Sequence, residues 1–109
     1  MLLLEGQGKA LIVDDEIAVR ELLQTILNAA GYSTTLAANG EDALKAASRE
    51  SFGLGLLDIR MPGLSGIEVL KRFNLSYPKT AVIMMTAVDD AEAAAESMKL
   101  GACDYITKP

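Results

Sequence analysis

Five short apolar runs, separated by segments with helical periodicity, restrict this chain of 109 residues to few folds. The runs start about 20 to 27 residues apart, which is the spacing of successive strand–helix units in a parallel sheet. They occupy positions 10–13, 33–37, 54–57, 81–85 and 105–107. The first, third and fourth runs are almost entirely apolar, as in strands buried on both faces, whereas the three hydroxyl residues at 33–37 suit an edge strand.

The intervening segments have the periodicity of amphipathic helices. In the first helix, apolar residues recur every three or four positions until Gly31 ends the pattern; they are Val19, Leu22, Leu23, Ile26 and Ala30. In the fourth helix, begun by Asp89 or Asp90 and ended by Gly101, the predicted inner stripe consists of Ala91, Ala94, Ala95 and Met98.

Capping signals define the two middle helices. The second opens at 39–42 and buries a stripe at Ala43, Leu44 and Ala47. The third begins with a capping box, because Glu68 follows Ser65 by three residues, and it ends before Pro78.

These elements predict an α/β fold in which five parallel strands alternate with four helices in an open, doubly wound sheet with right-handed crossovers. We interpret residues 1–109 as one domain, with 1–8 as a disordered or artificial start. Within residues 1–109, the pattern predicts no closing helix after the fifth strand and no output domain. We therefore expect a fragment in which apolar sheet surface lies open.

Composition excludes several kinds of chemistry. The chain contains no His, so Ser-His-Asp catalysis and histidine metal sites are impossible within it. A single Cys103 excludes an internal disulfide and suits a reducing cytoplasm. A net charge of −5 makes the domain a poor binder of nucleic acid or anionic membranes, and its apolar start is too short to span a bilayer.

Chemistry-bearing residues follow four of the five predicted strands. The first strand ends in Asp14, Asp15 and Glu16, the third in Asp58, the fourth in Thr86 and the fifth in Lys108. Separately, each has an ordinary explanation as a helix cap, a turn residue or a solvated side chain. Together they fall on the carboxyl edge of one sheet, where open α/β sheets bind ligands.

This combination suits phosphoryl transfer. Clustered carboxylates repel one another and need a cation, and hard oxygen ligands with partial exposure suit Mg²⁺. A carboxylate nucleophile beside Mg²⁺, a lysine and a hydroxyl forms a phosphoryl-acceptor site, in which catalysis consists of positioning and charge neutralisation.

Four motifs in this order resemble the receiver domain of two-component response regulators. They are Val-Asp-Asp-Glu at 13–16, the segment 57–66 around Asp58, Met-Thr-Ala at 85–87, and the segment 101–109 ending in Lys-Pro. The resemblance covers residues 9–109 and implies a flavodoxin-like sheet of order 2-1-3-4-5, which is the order of the receiver protein CheY. The wording of the motifs is most similar to receivers of NtrC-type transcriptional activators.

The resemblance implies a role for each site residue. Asp58 is the phosphoacceptor; Asp15, Asp58 and the backbone carbonyl of Arg60 ligate Mg²⁺ directly, and Asp14 acts through a bound water. Lys108 pairs with the Asp58 carboxylate and later with the phosphoryl group.

The switch, the partners and the output are implied in the same way. Thr86 moves to the phosphoryl group and Tyr105 turns inward, while the Lys108–Pro109 peptide is cis. Without histidine, the chain must take its phosphoryl group from a sensor histidine kinase or phosphotransfer protein. Signalling through the surface of helix 4 and strand 5, with homodimerisation there, is the expected output. Enzymatic turnover, direct nucleic-acid binding and membrane association are not expected.

Other functions stay open beside this one. A degenerate receiver could act only as an interaction module, since Gly53 and Gly55 depart from the family pattern and weaken the third strand. An aspartate-nucleophile phosphohydrolase of the haloacid dehalogenase type is disfavoured, because it needs an Asp-x-Asp pair after the first strand and the acids here are adjacent. A nucleotide-binding module fails, because carboxylates stand where it needs a glycine-rich loop. Arg60 either influences water attack on the phosphoryl group or is an ordinary solvated arginine.

Overall fold

The computed structural model describes residues 8–108. The predicted start at 1–8 therefore lies, apart from Gly8, outside the described residues, and so does the Lys108–Pro109 peptide, since Pro109 is not described. The Gly8 carbonyl accepts a hydrogen bond from the N–H of Ser33 at 2.8 Å.

Strands and helices alternate along the described chain. The elements are β1 (Lys9–Val13), α1 (Ile17–Ala29), β2 (Ser33–Ala37), α2 (Gly40–Arg49), β3 (Leu54–Asp58), α3 (Gly66–Ser76), β4 (Ala81–Thr86), α4 (Ala91–Lys99) and β5 (Asp104–Thr107). All strand pairs are parallel and the sheet order is β2-β1-β3-β4-β5. The predicted architecture is confirmed, including the position of β2 at an edge.

The sheet is buried between two apolar clusters. Alternate residues of the central strands point to opposite faces, so Leu11 packs toward α2, α3 and α4, whereas Ile12 packs toward α1. The larger cluster contains Phe73, Leu57 and Met84, each almost inaccessible to solvent. Burial of these side chains supplies the main driving force for closing the strands into one sheet.

Capping residues begin α2 and α3 as the sequence predicts. The side chain of Asn39 accepts the N–H of Asp42 at 2.8 Å. The Ser65 hydroxyl accepts the N–H of Glu68 at 3.3 Å, which confirms this part of the capping box.

Fewer apolar residues of α1 are buried than the sequence predicts. Val19 and Leu23 are buried, but Leu22 and Ile26 are 45% and 54% exposed, and Ala30 is exposed. Gln24 on one flank of α1 donates to Thr34 of β2. Leu22 and Ile26 lie on the opposite flank, toward the β4–β5 side of the sheet.

Apolar sheet surface is open on this side, as predicted. Ile106 of β5 is 38% exposed and pairs with Met85, which belongs to the cluster under α1, so both point to the α1 face. We call the exposed residues Leu22, Ile26 and Ile106 the open face.

The predicted inner stripe of α4 is wrong at three of its four positions. Ala94 is buried as predicted, but its buried companion is Ser97, whose hydroxyl donates to the Ala93 carbonyl at 2.8 Å. The remaining stripe residues, Ala91, Ala95 and Met98, are exposed. Because the Ser97 hydroxyl is hydrogen bonded within its own helix, this side chain can be buried where an apolar residue was expected.

Within residues 8–108, no helix combines the length and the apolar character needed to cross a membrane.

Candidate functional site

The parallel register brings four strand ends to one edge of the sheet. Val13 lies beside Leu57, so Asp14 and Asp58 follow at neighbouring positions at the ends of β1 and β3. Thr86 in turn pairs with Thr107, the residue before Lys108. The side chains that the sequence predicted to converge therefore do so on adjacent strands.

Lys108 contacts three carboxylates at this edge. Its Nζ donates hydrogen bonds to Glu16 Oε1 at 2.9 Å and to Asp58 Oδ2 at 3.1 Å, and it lies 3.1 Å from Asp14 Oδ2. Burial works against the charged form, but contacts with these carboxylates more than compensate and raise the pKa of Lys108. The ammonium group is therefore permanently charged and is the fixed cation of the site.

Glu16 has a part in the site that sequence reasoning missed. Glu16 belongs to the acids predicted after the first strand, but no separate role was predicted for it. It contacts Lys108 across 92 positions of sequence. Only proximity in sequence to Asp14 and Asp15 could have indicated it.

Asp58 is almost completely buried, and this burial dominates its ionisation. Desolvation raises the pKa of Asp58 to about 6, the hydrogen bond from Lys108 opposes the increase, and the negative charge of Asp14 adds to it. The backbone N–H of Arg60 donates to Asp58 Oδ1 at 3.3 Å. The buried carboxylate is therefore poorly hydrated, and a cation bound next to it would stabilise its charged form.

The acids after β1 have the donor chemistry that Mg²⁺ requires. Asp14 is fully buried, and its Oδ1 accepts the N–H of Glu16 at 2.8 Å. Its Oδ2 lies 3.1 Å from the Lys108 ammonium and has no other polar partner among residues 8–108. Carboxylate oxygens of Asp14, Asp15 and Glu16 lie within 4.8 Å of one another. Buried and exposed carboxylate oxygens grouped in this way suit a hard divalent cation.

The other predicted site residues line a small cavity beside these acids. A cavity of about 220 Å³ is bounded by Asp15, Asp58, Arg60, Thr86 and Lys108, among others. The buried Thr86 hydroxyl donates to the Ala87 carbonyl at 2.7 Å. Tyr105, in contrast, is 47% exposed on β5, so it is not packed into the cavity in this conformation.

Arg60 is neither free in solvent nor bound to the acceptor carboxylate through its side chain. Its Nε donates to Asp90 Oδ2 at 2.8 Å, although 76% of the arginine side chain is exposed. This hydrogen bond raises the pKa of Arg60 and lowers that of Asp90. Sequence reasoning placed Asp90 only at the start of α4, since nothing in the sequence connects residues 30 positions apart.

Gly66 packs against the backbone of the turn that begins at Asp58. A Cβ atom at this first residue of α3 would overlap the carbonyl of Asp58, and the Gly66 N–H donates to the Ile59 carbonyl at 2.9 Å. The absence of a side chain therefore lets α3 pack directly on the turn after β3.

Comparison with known proteins agrees with this geometry. The family model of the response regulator receiver domain matches residues 10–109. Sporulation initiation phosphotransferase F of Bacillus subtilis is 44% identical over 93% of this chain and 82% of its own length. The transcriptional regulatory protein YkoG of the same organism is 43% identical, but this chain spans only 45% of it.

Solved structures agree as well. The receiver domain of NtrX from Brucella abortus superposes with a TM-score of 0.87 and 33% identity, over 92% of this chain and 85% of that one. The predicted similarity to receivers of NtrC-type activators is confirmed by relatives of this kind. Because the sheet order, the site and the family model coincide, this chain belongs to the response regulator receiver domain family, whose members work in phosphorylation-based signalling.

Proposed function

We propose that this chain accepts a phosphoryl group on Asp58 from a sensor histidine kinase or phosphotransfer protein and thereby switches the surface of α4 and β5. The observation that carries the proposal is the placement of the Asp58 carboxylate. It is buried at the edge of the sheet, bonded to Lys108 and next to a small cavity. Cations at this site would stabilise the charged carboxylate. A small electrophile could reach the carboxylate through the cavity.

In the proposed reaction, an Asp58 carboxylate oxygen attacks phosphorus and forms an O–P bond. The bond from phosphorus to the donor's nitrogen or oxygen breaks, and the donor departs with that electron pair. Lys108 stays charged throughout and can follow the negative charge from the carboxylate to the phosphoryl oxygens. The acyl phosphate that results adds a charge of about −1.5 to −2 to an acidic pocket.

Asp15 and Asp58 would hold Mg²⁺ directly, with the backbone carbonyl of Arg60, and Asp14 would act through a water. The clustered carboxylate oxygens of Asp14, Asp15 and Glu16 support this assignment. When bound, the metal neutralises charge and orients phosphoryl oxygens.

The switch would begin at Thr86, whose hydroxyl exchanges the Ala87 carbonyl for a phosphoryl oxygen. Tyr105, half exposed now, would turn inward into the space that Thr86 vacates. Exposed apolar side chains near this surface, among them Val88 and Met98, make α4 and β5 a suitable homodimer contact.

The output that we propose is transcription, controlled through an attached or partner domain in the cytoplasm. The similarity to transcriptional regulatory proteins supports this output. The net charge of −5 makes DNA contact by the receiver itself unfavourable. Apart from accepting and slowly losing its own phosphoryl group, the domain is proposed to turn over no substrate.

Intact mass measurement after incubation with acetyl phosphate tests the proposal. We expect one phosphoryl adduct in the presence of Mg²⁺, none in Asp58→Asn, and a normal adduct in Asp89→Asn, which changes an exposed acid after β4. Lys108→Gln should slow adduct formation without abolishing binding of Mg²⁺. An adduct on Asp58→Asn, or none on the native protein, would contradict the assignment and favour a degenerate receiver.

A further inference from the structure

An ion pair connects the loop after β3 to the start of α4. Arg60 Nε donates to Asp90 Oδ2 at 2.8 Å, and the Asp90 side chain is only 11% exposed. Arg60 lies two residues after Asp58, and its backbone N–H donates to the Asp58 carboxylate. The residue that balances the charge of Asp90 is therefore anchored beside the proposed phosphoacceptor.

Asp90 occupies a position from which it could serve α4 instead. It immediately precedes the helix, where an aspartate side chain ordinarily accepts an N–H of the first turn. Its side chain makes no full capping bond to the described part of α4, although the nearby Ala93 N–H helps to lower the pKa of its carboxyl, and its Oδ2 is engaged by Arg60. One carboxylate thus has two competing sets of donors, the guanidinium and the first turn of the helix.

Arg60 likewise has two competing acceptors. Arg60, Asp90, Asp58 and Thr86 line the same cavity of about 220 Å³. A phosphoryl group on Asp58 would place three acceptor oxygens and up to two negative charges in that cavity. Because arginine binds phosphoryl oxygens through several charge-assisted hydrogen bonds, such a group is a stronger partner than one carboxylate.

We propose that the Arg60–Asp90 pair is a latch on α4. Arg60 keeps the Asp90 carboxylate from completing a capping bond until a phosphoryl group on Asp58 attracts the guanidinium, and the released Asp90 then completes the cap of α4. Arg60 is a positioning residue in this scheme, and the connection from Asp58 to α4 is separate from the one through Thr86. The inference rests on the proposed function of Asp58 as phosphoacceptor.

Nuclear magnetic resonance of the full chain can observe both ends of the latch. Before phosphorylation, the Arg60 Nε–H signal should exchange slowly with solvent, and Asp90→Ala should abolish this protection. After acetyl phosphate and Mg²⁺, the signal should move, and amide exchange at Glu92 and Ala93 should slow about fivefold, as for a typical gained cap. Intact mass of each sample reports separately whether Asp58 carries the phosphoryl group.

Variants separate the latch from general effects of charge. Arg60→Gln should release Asp90 without phosphorylation, so α4 should already exchange slowly. Asp90→Ala removes the cap as well as the pair, so its α4 should gain no protection on phosphorylation. Arg72→Gln is the matched control, since it changes an exposed charge on α3 and should behave like the native protein.

Two results would overturn the latch. One is a phosphorylated protein in which the Arg60 signal and α4 protection are unchanged. The other is unmodified Arg60→Gln with α4 exchange equal to that of Arg72→Gln. If the native protein takes up no phosphoryl group, the proposed function fails, and the comparison of these two unmodified variants still decides the latch.

Discussion

The charge of Asp58 opposes folding at neutral pH. Its pKa is raised from 3.8 to about 6, chiefly by burial, so the folded protein binds a proton more tightly than the unfolded chain. A raised carboxyl pKa stabilises the fold below the unfolded value, and this stabilisation is lost as pH rises through the folded value. The relevant window therefore runs from about pH 4 to about pH 7.

Asp58→Asn removes this titration, so the variant should gain stability relative to the native protein as pH rises. After a discount for solvent screening at the cavity, we expect the difference in unfolding free energy to grow by about 1–2 kcal/mol across the window. Urea unfolding without Mg²⁺ at both limits measures it, with Asp89→Asn as control. A difference independent of pH would contradict the raised pKa.

Single residues at strand ends were predictable from sequence, but their pairings were not. The positions of Asp14, Asp58 and Lys108 follow from the strand pattern, because every parallel strand must end at the same edge. The partners of Arg60 and Glu16 depend on side-chain conformations and on contacts 30 and 92 residues away, and no local pattern encodes these.

At the scale of elements, the junction between β3 and α3 depends on Gly66. In Gly66→Ala, the methyl group would overlap backbone atoms of Asp58 and Ile59, so either α3 or the acceptor turn must move. We expect a loss of about 1–3 kcal/mol in urea unfolding, as for other overpacked sites, together with slower acceptance of phosphate. Native stability in this variant would show that the turn tolerates displacement.

Gly55 provides the opposite case in the same strand. A Cβ atom there would meet only side-chain atoms, of Thr80, Val82 and Phe73, at 3.7–4.0 Å, which is ordinary contact distance. Gly55→Ala should therefore stabilise the protein by about 0.5–1 kcal/mol, because the unfolded chain loses freedom and no clash arises. Thermal unfolding checks this, and a lower melting temperature would reveal a close approach that the structure does not contain.

Gly53, just before β3, and Gly55, within it, were expected to weaken the third strand. Gly53 is hydrogen bonded on both sides, its N–H donating to Lys9 and its carbonyl accepting from Ala81. The strand therefore forms normally around both glycines. The sequence interpretation favoured a cost in stability over a close backbone approach for both glycines, and this stays a prediction that Gly55→Ala tests.

Which face of each helix is buried was the feature that the sequence predicted least well. In α4, alanines occur on every side, so apolar periodicity could not choose between the face of Ala94 and that of Ala91 and Ala95. In α1, Leu22 and Ile26 continue the apolar stripe beyond the surface that the described sheet covers.

At the scale of the molecule, the open face should cause the described domain to bind apolar molecules and to self-associate. Leu22→Gln with Ile26→Gln should lower binding of an apolar fluorescent dye and reduce self-association in sedimentation experiments. Because both side chains are about half exposed, the unfolding free energy should change by less than about 1 kcal/mol at each site. Leu75→Gln, at an 86% exposed position on α3, is the control and should leave dye binding unchanged.

The dependence of the acidic pocket on Lys108 also has a consequence for synthesis. Carboxylates from β1 and β3 leave the ribosome well before the lysine that follows β5, and one of its partners lies 92 residues earlier. Until β5 docks beside β4, those acids face one another without their ammonium group. In the proposed role, the acceptor site of a newly made copy is therefore incomplete until Lys108 has been synthesised and β5 has docked.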